Sequence, residues 1–143
     1  GRTMLKITKI KPMFTDLIIT ADRFDNDVTD NGILIANKGD LKSYQTVVAI
    51  GSAIRNIEVG DKVMVDFEVF AERKIPANSV RDKIDVPNPV VNYHIPWVTM
   101  TDEHGDDKMY IRIPENAIEF AFEGEEVDMP DIVQVGTPEI LVN

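Results

Sequence analysis

The chain has 143 residues, 43% of them hydrophobic, and 15 basic against 25 acidic residues give it a formal net charge of −10. This length suits one domain with one core, and the negative balance repels phosphate backbones and anionic membranes, so neither nucleic acid nor a membrane surface is expected as a partner. Cysteine is absent, which excludes a disulfide framework, a thiolate metal site and a cysteine nucleophile together; no apolar run has membrane-spanning length and the basic start lacks the apolar stretch of a secretory signal, so a cytoplasmic location is expected.

In chain order, Leu5, Ile7 and Ile10 lead to Pro12, and Asp16 to Ala21 forms a first predicted strand, with the proline just ahead of it where its missing N–H does no harm. Residues 22–41 are different in kind. Asp22, Asp25, Asn26, Asp27, Asp30 and Asn31 precede Gly32-Ile33-Leu34-Ile35, and Asn37, Lys38, Gly39 and Asp40 follow, so three consecutive aliphatics sit inside a solvated loop composition. Two readings fit. The triplet is a short buried strand entered by the Asn31-Gly32 turn, or it is the apolar anchor of a mobile binding segment that fits a groove on another protein.

Tyr44 to Ile50 is a second strand closed by Gly51, Ser52 to Asn56 a short link, and Gly60-Asp61 a turn signal. Residues 63–70 alternate, which puts Val63, Val65, Phe67 and Val69 on one face of a strand. From Ala71 to Trp97 the pattern loosens into an excursion, part of an insertion that spans about 71–105. Pro76, Pro87, Pro89 and Pro96 allow at most a short edge strand there. A hairpin follows, Trp97 to Thr101 and Lys108 to Ile113 about the acidic turn 102–107, and Ile118 to Phe122 makes a final strand before a C-terminal extension, 124–143, that contains the apolar run Ile132 to Val135. Helical periodicity nowhere exceeds about two turns. The expectation is an all-β fold over residues 2–143, one small barrel or sandwich.

The order of these pieces resembles the GroES family, the small lid-forming co-chaperonins. Ile10 to Ile19 is similar to that family's opening strand, Gly32-Ile33-Leu34-Ile35 to its mobile-loop glycine and aliphatic tripeptide, Thr46 to Gly51 to the strand after the loop, Val59-Gly60-Asp61-Lys62-Val63 to its Val-Gly-Asp turn, and Lys108 to Phe122 to its closing hairpin. The likeness covers about residues 5–67 and 108–122. It implies a GroES-like β-barrel in a homo-oligomeric ring of seven, each subunit binding a GroEL-type chaperonin through Gly32, Ile33, Leu34 and Ile35 of a mobile loop (22–41), with no cofactor, metal or catalysis of its own. The link Ser52 to Asn56 is too short for the roof hairpin of many members, and the excursion and tail are extra length. In both respects the chain looks like the divergent co-chaperonins of some phages. An alternative is a phage or mobile-element structural or assembly protein that uses a similar barrel, with Ile33 to Ile35 packed in its core.

Energetics suit a ring-borne loop. Burying the three aliphatics contributes about 1.5 to 3 kcal/mol each, while ordering six loop residues costs on the order of 6 to 12 kcal/mol. One such loop binds barely; several on one ring bind together at high effective concentration.

Catalytic and metal patterns are weak. Asp27-Val28-Thr29-Asp30-Asn31-Gly32 fits the first half of a calcium loop, yet its twelfth position is Lys38, where a bidentate glutamate is needed. His94 and His104 are the two histidines, and His104 lies among Asp102, Glu103, Asp106 and Asp107, a set that a solvated turn explains as well as a metal site does. No phosphate-binding glycine loop or nucleophile elbow is present. Medium-chain dehydrogenases contain a GroES-like domain, but their dinucleotide-binding half and thiolate ligands have no counterpart here.

Overall fold

Of the 143 residues, the computed structural model describes 1–74 and 90–128. Regular structure in them is strand, apart from two short 3-10 turns at Phe67–Phe70 and Glu115–Ala117. The strands are β1 (Asp16–Thr20), β2 (Val28–Asp30), β3 (Ile33–Ala36), β4 (Tyr44–Ile50), β5 (Lys62–Val65), β6 (Ala71–Lys74), β7 (Val90–Tyr93), β8 (Trp97–Thr101), β9 (Asp107–Pro114) and β10 (Ile118–Phe122). Six of them make one antiparallel sheet in the order β10-β5-β4-β1-β9-β8, while β2–β3 and β6–β7 are separate two-stranded hairpins.

Period-two alternation builds the core. Leu17 and Ile19 of β1, Val47 of β4, Val63 and Val65 of β5, and Ile111 and Ile113 of β9 are buried together with Ile54 and Ala117. Ile18 falls on the opposite face by alternation and is also fully buried, so the central strand is covered on both sides. Ladder pairing of β1 with both β4 and β9 satisfies its backbone groups without water.

The alternation of residues 63–70 stops early. Strand β5 ends at Val65, because the Asp66 carboxylate accepts a hydrogen bond from the Glu68 N–H at 3.0 Å and caps a 3-10 turn. This local bond competes with a continued ladder and wins. Phe67 and Phe70 then pack against the core while Val69 is exposed, so the four predicted co-facial residues divide. In its described parts the expected excursion holds two paired strands, β6 and β7, in place of at most one short edge strand, while β8 has the bounds expected for the first strand of the hairpin. The excursion's residues 75–89, with Pro76, Pro87 and Pro89, lie outside the described residues, as do residues 129–143 with the apolar run at 132–135. Among the described residues no helix is long and apolar enough to cross a membrane.

Residues 1–12 form no strand; a hydrogen bond from the Thr101 N–H to the Ile7 carbonyl at 2.7 Å and an ion pair of Lys6 Nζ with Asp107 Oδ2 at 3.5 Å hold them beside β8 and β9, and Met4 and Leu5 are exposed. This segment enters the sheet through a strained turn. Phe14 has φ +51, a region where a bulky residue is an outlier, and its carbonyl accepts from the Ala53 N–H at 2.9 Å. Gly51 faces that carbonyl so closely that an added Cβ would overlap it. We therefore expect Gly51→Ala to destabilise the fold by about 1 to 3 kcal/mol in denaturant unfolding; unchanged stability would show the contact to be slack.

Candidate functional site: a projecting arm and its root

The polar stretch 22–41 folds into a hairpin arm. At its tip Asp30 pairs with Ile33, and the two residues between, Asn31 (φ +52) and Gly32 (φ +83), are both left-handed, the geometry of a type I′ turn whose twist matches a two-residue hairpin. Glycine takes this conformation freely and asparagine tolerates it. Thr29 then pairs with Leu34 and Val28 with Ala36, which leaves Ile35 unopposed as a bulge. Ile33, Leu34 and Ile35 are 66%, 49% and 61% exposed, whereas the aliphatic residues of β1 are fully buried. The triplet is thus a strand, but one with no core beneath it.

Between the tip and the sheet, acidic side chains do part of the backbone's pairing. Asp27 Oδ1 accepts from the Lys38 N–H at 2.7 Å and Asp40 Oδ2 from the Asn37 N–H at 2.8 Å. Much of the Asp and Asn content that marks a loop in sequence is therefore hairpin architecture. Asp27, the first position of the calcium pattern, is engaged this way, and among the described residues no group of three or more His, Asp or Glu is arranged to hold a metal. His94 Nε2 lies 2.9 Å from Glu72 Oε1, and the His104 N–H is bound by Asp102 Oδ1.

The arm's two legs meet the sheet at Asp22 and Lys42, joined by the Lys42 N–H to Asp22 carbonyl bond at 3.0 Å and, farther out, by Phe24 with Asp40 and Gly39. Inside this junction sits Gln45, only 2% exposed, on the same face of β4 as Val47. Its Oε1 accepts from the Thr20 hydroxyl and the Asp22 N–H, both at 2.8 Å, and its Nε2 donates to the Asp22 carbonyl at 3.0 Å and the Lys42 carbonyl at 2.8 Å. Every hydrogen-bonding position of this amide is filled. One side chain so staples the end of β1 and both legs of the arm.

Two further ties act from outside. The Arg23 guanidinium lies 5.7 Å from the Trp97 ring of β8 and donates to the Gly39 carbonyl at 3.0 Å. On the other side Phe24, Tyr44, Phe122 and Phe120 form an edge-to-face row with centroids 6.1 to 6.3 Å apart. The Lys42 ammonium sits 5.5 Å from the Phe24 centroid and 5.6 Å from that of Tyr44. Lys42 Nζ also donates to Glu126 Oε2 at 2.6 Å, an oxygen that the Tyr44 hydroxyl shares. Burial, and then the carboxylate beside it, pushes the Tyr44 phenol up to about 12, while the bonds from Lys42 and Tyr44 hold the Glu126 carboxyl below its ordinary value.

No protein-family model matches this chain, and no curated protein matches it. Sequence reading picked out Gly32, Ile33, Leu34 and Ile35 and missed the root. A glutamine within an aliphatic strand was the available signal for Gln45, since a buried amide requires partners; Arg23, Lys42 and Glu126 carry no such mark, because their partners are remote in sequence.

Two outcomes are expected. Gln45→Met, which keeps the volume and removes the amide, costs about 1 to 3 kcal/mol in denaturant unfolding and speeds proteolysis within 22–41; wild-type values for both would refute the staple. In an alkaline absorbance titration one phenol component lies near 12 and disappears in Tyr44→Phe. Because that folded-state value is raised, its contribution to stability is complete below about pH 10 and is lost as pH climbs through the folded value. An unshifted titration of all three tyrosines would contradict the burial of this group.

Proposed function

We propose that this chain is a co-chaperonin of the GroES kind, whose six-stranded sheet closes as a small barrel, whose subunits assemble into a ring of seven, and whose arm docks on a GroEL-type chaperonin. Its activity is binding and encapsulation of folding clients in the cytoplasm, with no chemistry of its own. The observation that carries this reading is the exposure of Ile33, Leu34 and Ile35 together at the tip of an otherwise polar arm. A strand with three bare aliphatics and no core beneath it gains only when a second surface covers it. The alternative, an assembly protein with the triplet in its core, lacks that support.

The arm's construction bears on affinity. A formed turn and ladder mean that part of the ordering cost estimated for a free loop falls within the fold itself, so less remains at docking. Covering what these three side chains leave exposed contributes about 3 to 5 kcal/mol gross. Against the cost of association, that leaves each arm weak and a ring of arms strong. Weak individual contacts also let the lid leave when the chaperonin changes shape.

Size-exclusion co-elution with a GroEL-type ring in the presence of nucleotide tests the proposal. Wild type co-elutes and Leu34→Asp does not, with Tm little changed because Leu34 is not part of the core cluster or of the residues packed against it. Undiminished co-elution of Leu34→Asp, or failure of wild type to bind, overturns the reading; a mass in solution other than that of seven subunits overturns the ring.

A further inference from the structure

The chain emerging from β10 does not leave the body at once. Lys62 Nζ donates to the Gly124 carbonyl at 3.0 Å, and two residues later Glu126 reaches Lys42 and Tyr44, more than 80 positions away in sequence. Side-chain bonds to Gly124 and Glu126 fasten residues 123–128, which form no strand. The segment divides two clefts, one lined by Lys62, Met64 and Phe122 and the other by Asp25, Asn26 and Val28. Lys42, Tyr44 and Glu126 line both, so these three side chains are the partition.

The pair is unequal. Lys42's side chain is 16% exposed and Glu126's is 56% exposed. Lys42 is committed to the root by its N–H to Asp22, its carbonyl to Gln45 and its ammonium over two rings. Among the described residues Glu126 is committed through its carboxylate alone. When the contact opens, it is therefore the C-terminal segment that leaves, and Lys42, the last residue of the arm's exit leg, loses its one carboxylate partner among the described residues.

We propose that Gly124 to Glu126 is a charge-dependent clasp on the arm's root: engaged, it presses Lys42 and with it the exit leg against β4; released, it lets the arm pivot about Asp22 and Lys42. The clasp rests on the proposed function only for its consequence, which is that the arm is held in one pose before docking and freed by anything that competes for the Lys42 ammonium. The aromatic row gives the released ammonium a place to stay, so opening leaves the fold intact.

Amide hydrogen exchange on the isolated full-length chain tests this with no chaperonin present. Glu126→Gln should speed exchange of the Phe24, Gly39 and Lys42 amides about 2- to 5-fold, as expected for losing one partly exposed ion pair, and leave Ile19 and Ile111 unchanged. Glu125→Gln, the same change of charge one residue earlier, should leave all five at wild-type rates. Raising salt to about 0.5 M should speed the same three amides in wild type and not in Glu126→Gln, because screening removes only an ion pair that exists. Wild-type rates in Glu126→Gln, an equal effect from Glu125→Gln, or acceleration spread over β1 and β9 would each overturn the clasp. A clasp that fails leaves co-elution with the chaperonin untouched, and a failed co-elution leaves the exchange result standing.

Discussion

A buried primary amide decides how this molecule is put together. Gln45 stands where the inward face of β4 would otherwise carry another aliphatic, and a polar group so deep is tolerable only when every donor and acceptor finds a partner. The partners it finds are the end of β1 and the two residues from which the arm departs. Leaving them unpaired would cost more than the bonds contribute, so the amide acts as a constraint on geometry more than as a source of stability. The arm leaves the sheet from one fixed place because of it.

Body and arm are held by different forces. In the body, Leu17, Ile19, Val47, Val63, Ile111 and Ile113 remove apolar surface from water and set the cooperative stability. In the arm the contacts are a short two-stranded ladder and hydrogen bonds to exposed carboxylates, Asp27 with Lys38 and Asp40 with Asn37, each open to competition from water. Such a part opens at low free energy while the sheet remains closed to exchange. An element whose apolar face has no home in its own fold is best built this way, since it can adapt to a foreign surface without disturbing the core.

Much of the body was legible in the sequence. Tyr44 to Ile50 and Ile118 to Phe122 have the bounds that composition suggested, and Asn31-Gly32 makes the turn that its residue types demand. Alternation misled at residues 63–70, where a single carboxylate, Asp66, ended the strand by a bond that no periodicity records. Aspartate density misled in 22–41: it suggested a solvated loop, yet two of those side chains, Asp27 and Asp40, pair with backbone N–H groups to shape a hairpin. The root was illegible for a plainer reason. Its ties join Thr20 to Gln45, Arg23 to Trp97 and Lys42 to Glu126, and a local pattern holds no trace of contacts made across the sheet.

Strand β1 runs into the arm's entry leg at one end, and the exit leg returns into its antiparallel neighbour β4. The ladders of β1 to β4 and β9 lie across the strand direction on both sides. A pull on the arm draws β1 and β4 the same way, so it loads in shear the ladders that join this pair to its outer neighbours, β1 to β9 and β4 to β5. Mechanically the two strands are a yoke, spreading tension from the apolar tip across the middle of the sheet instead of peeling one edge.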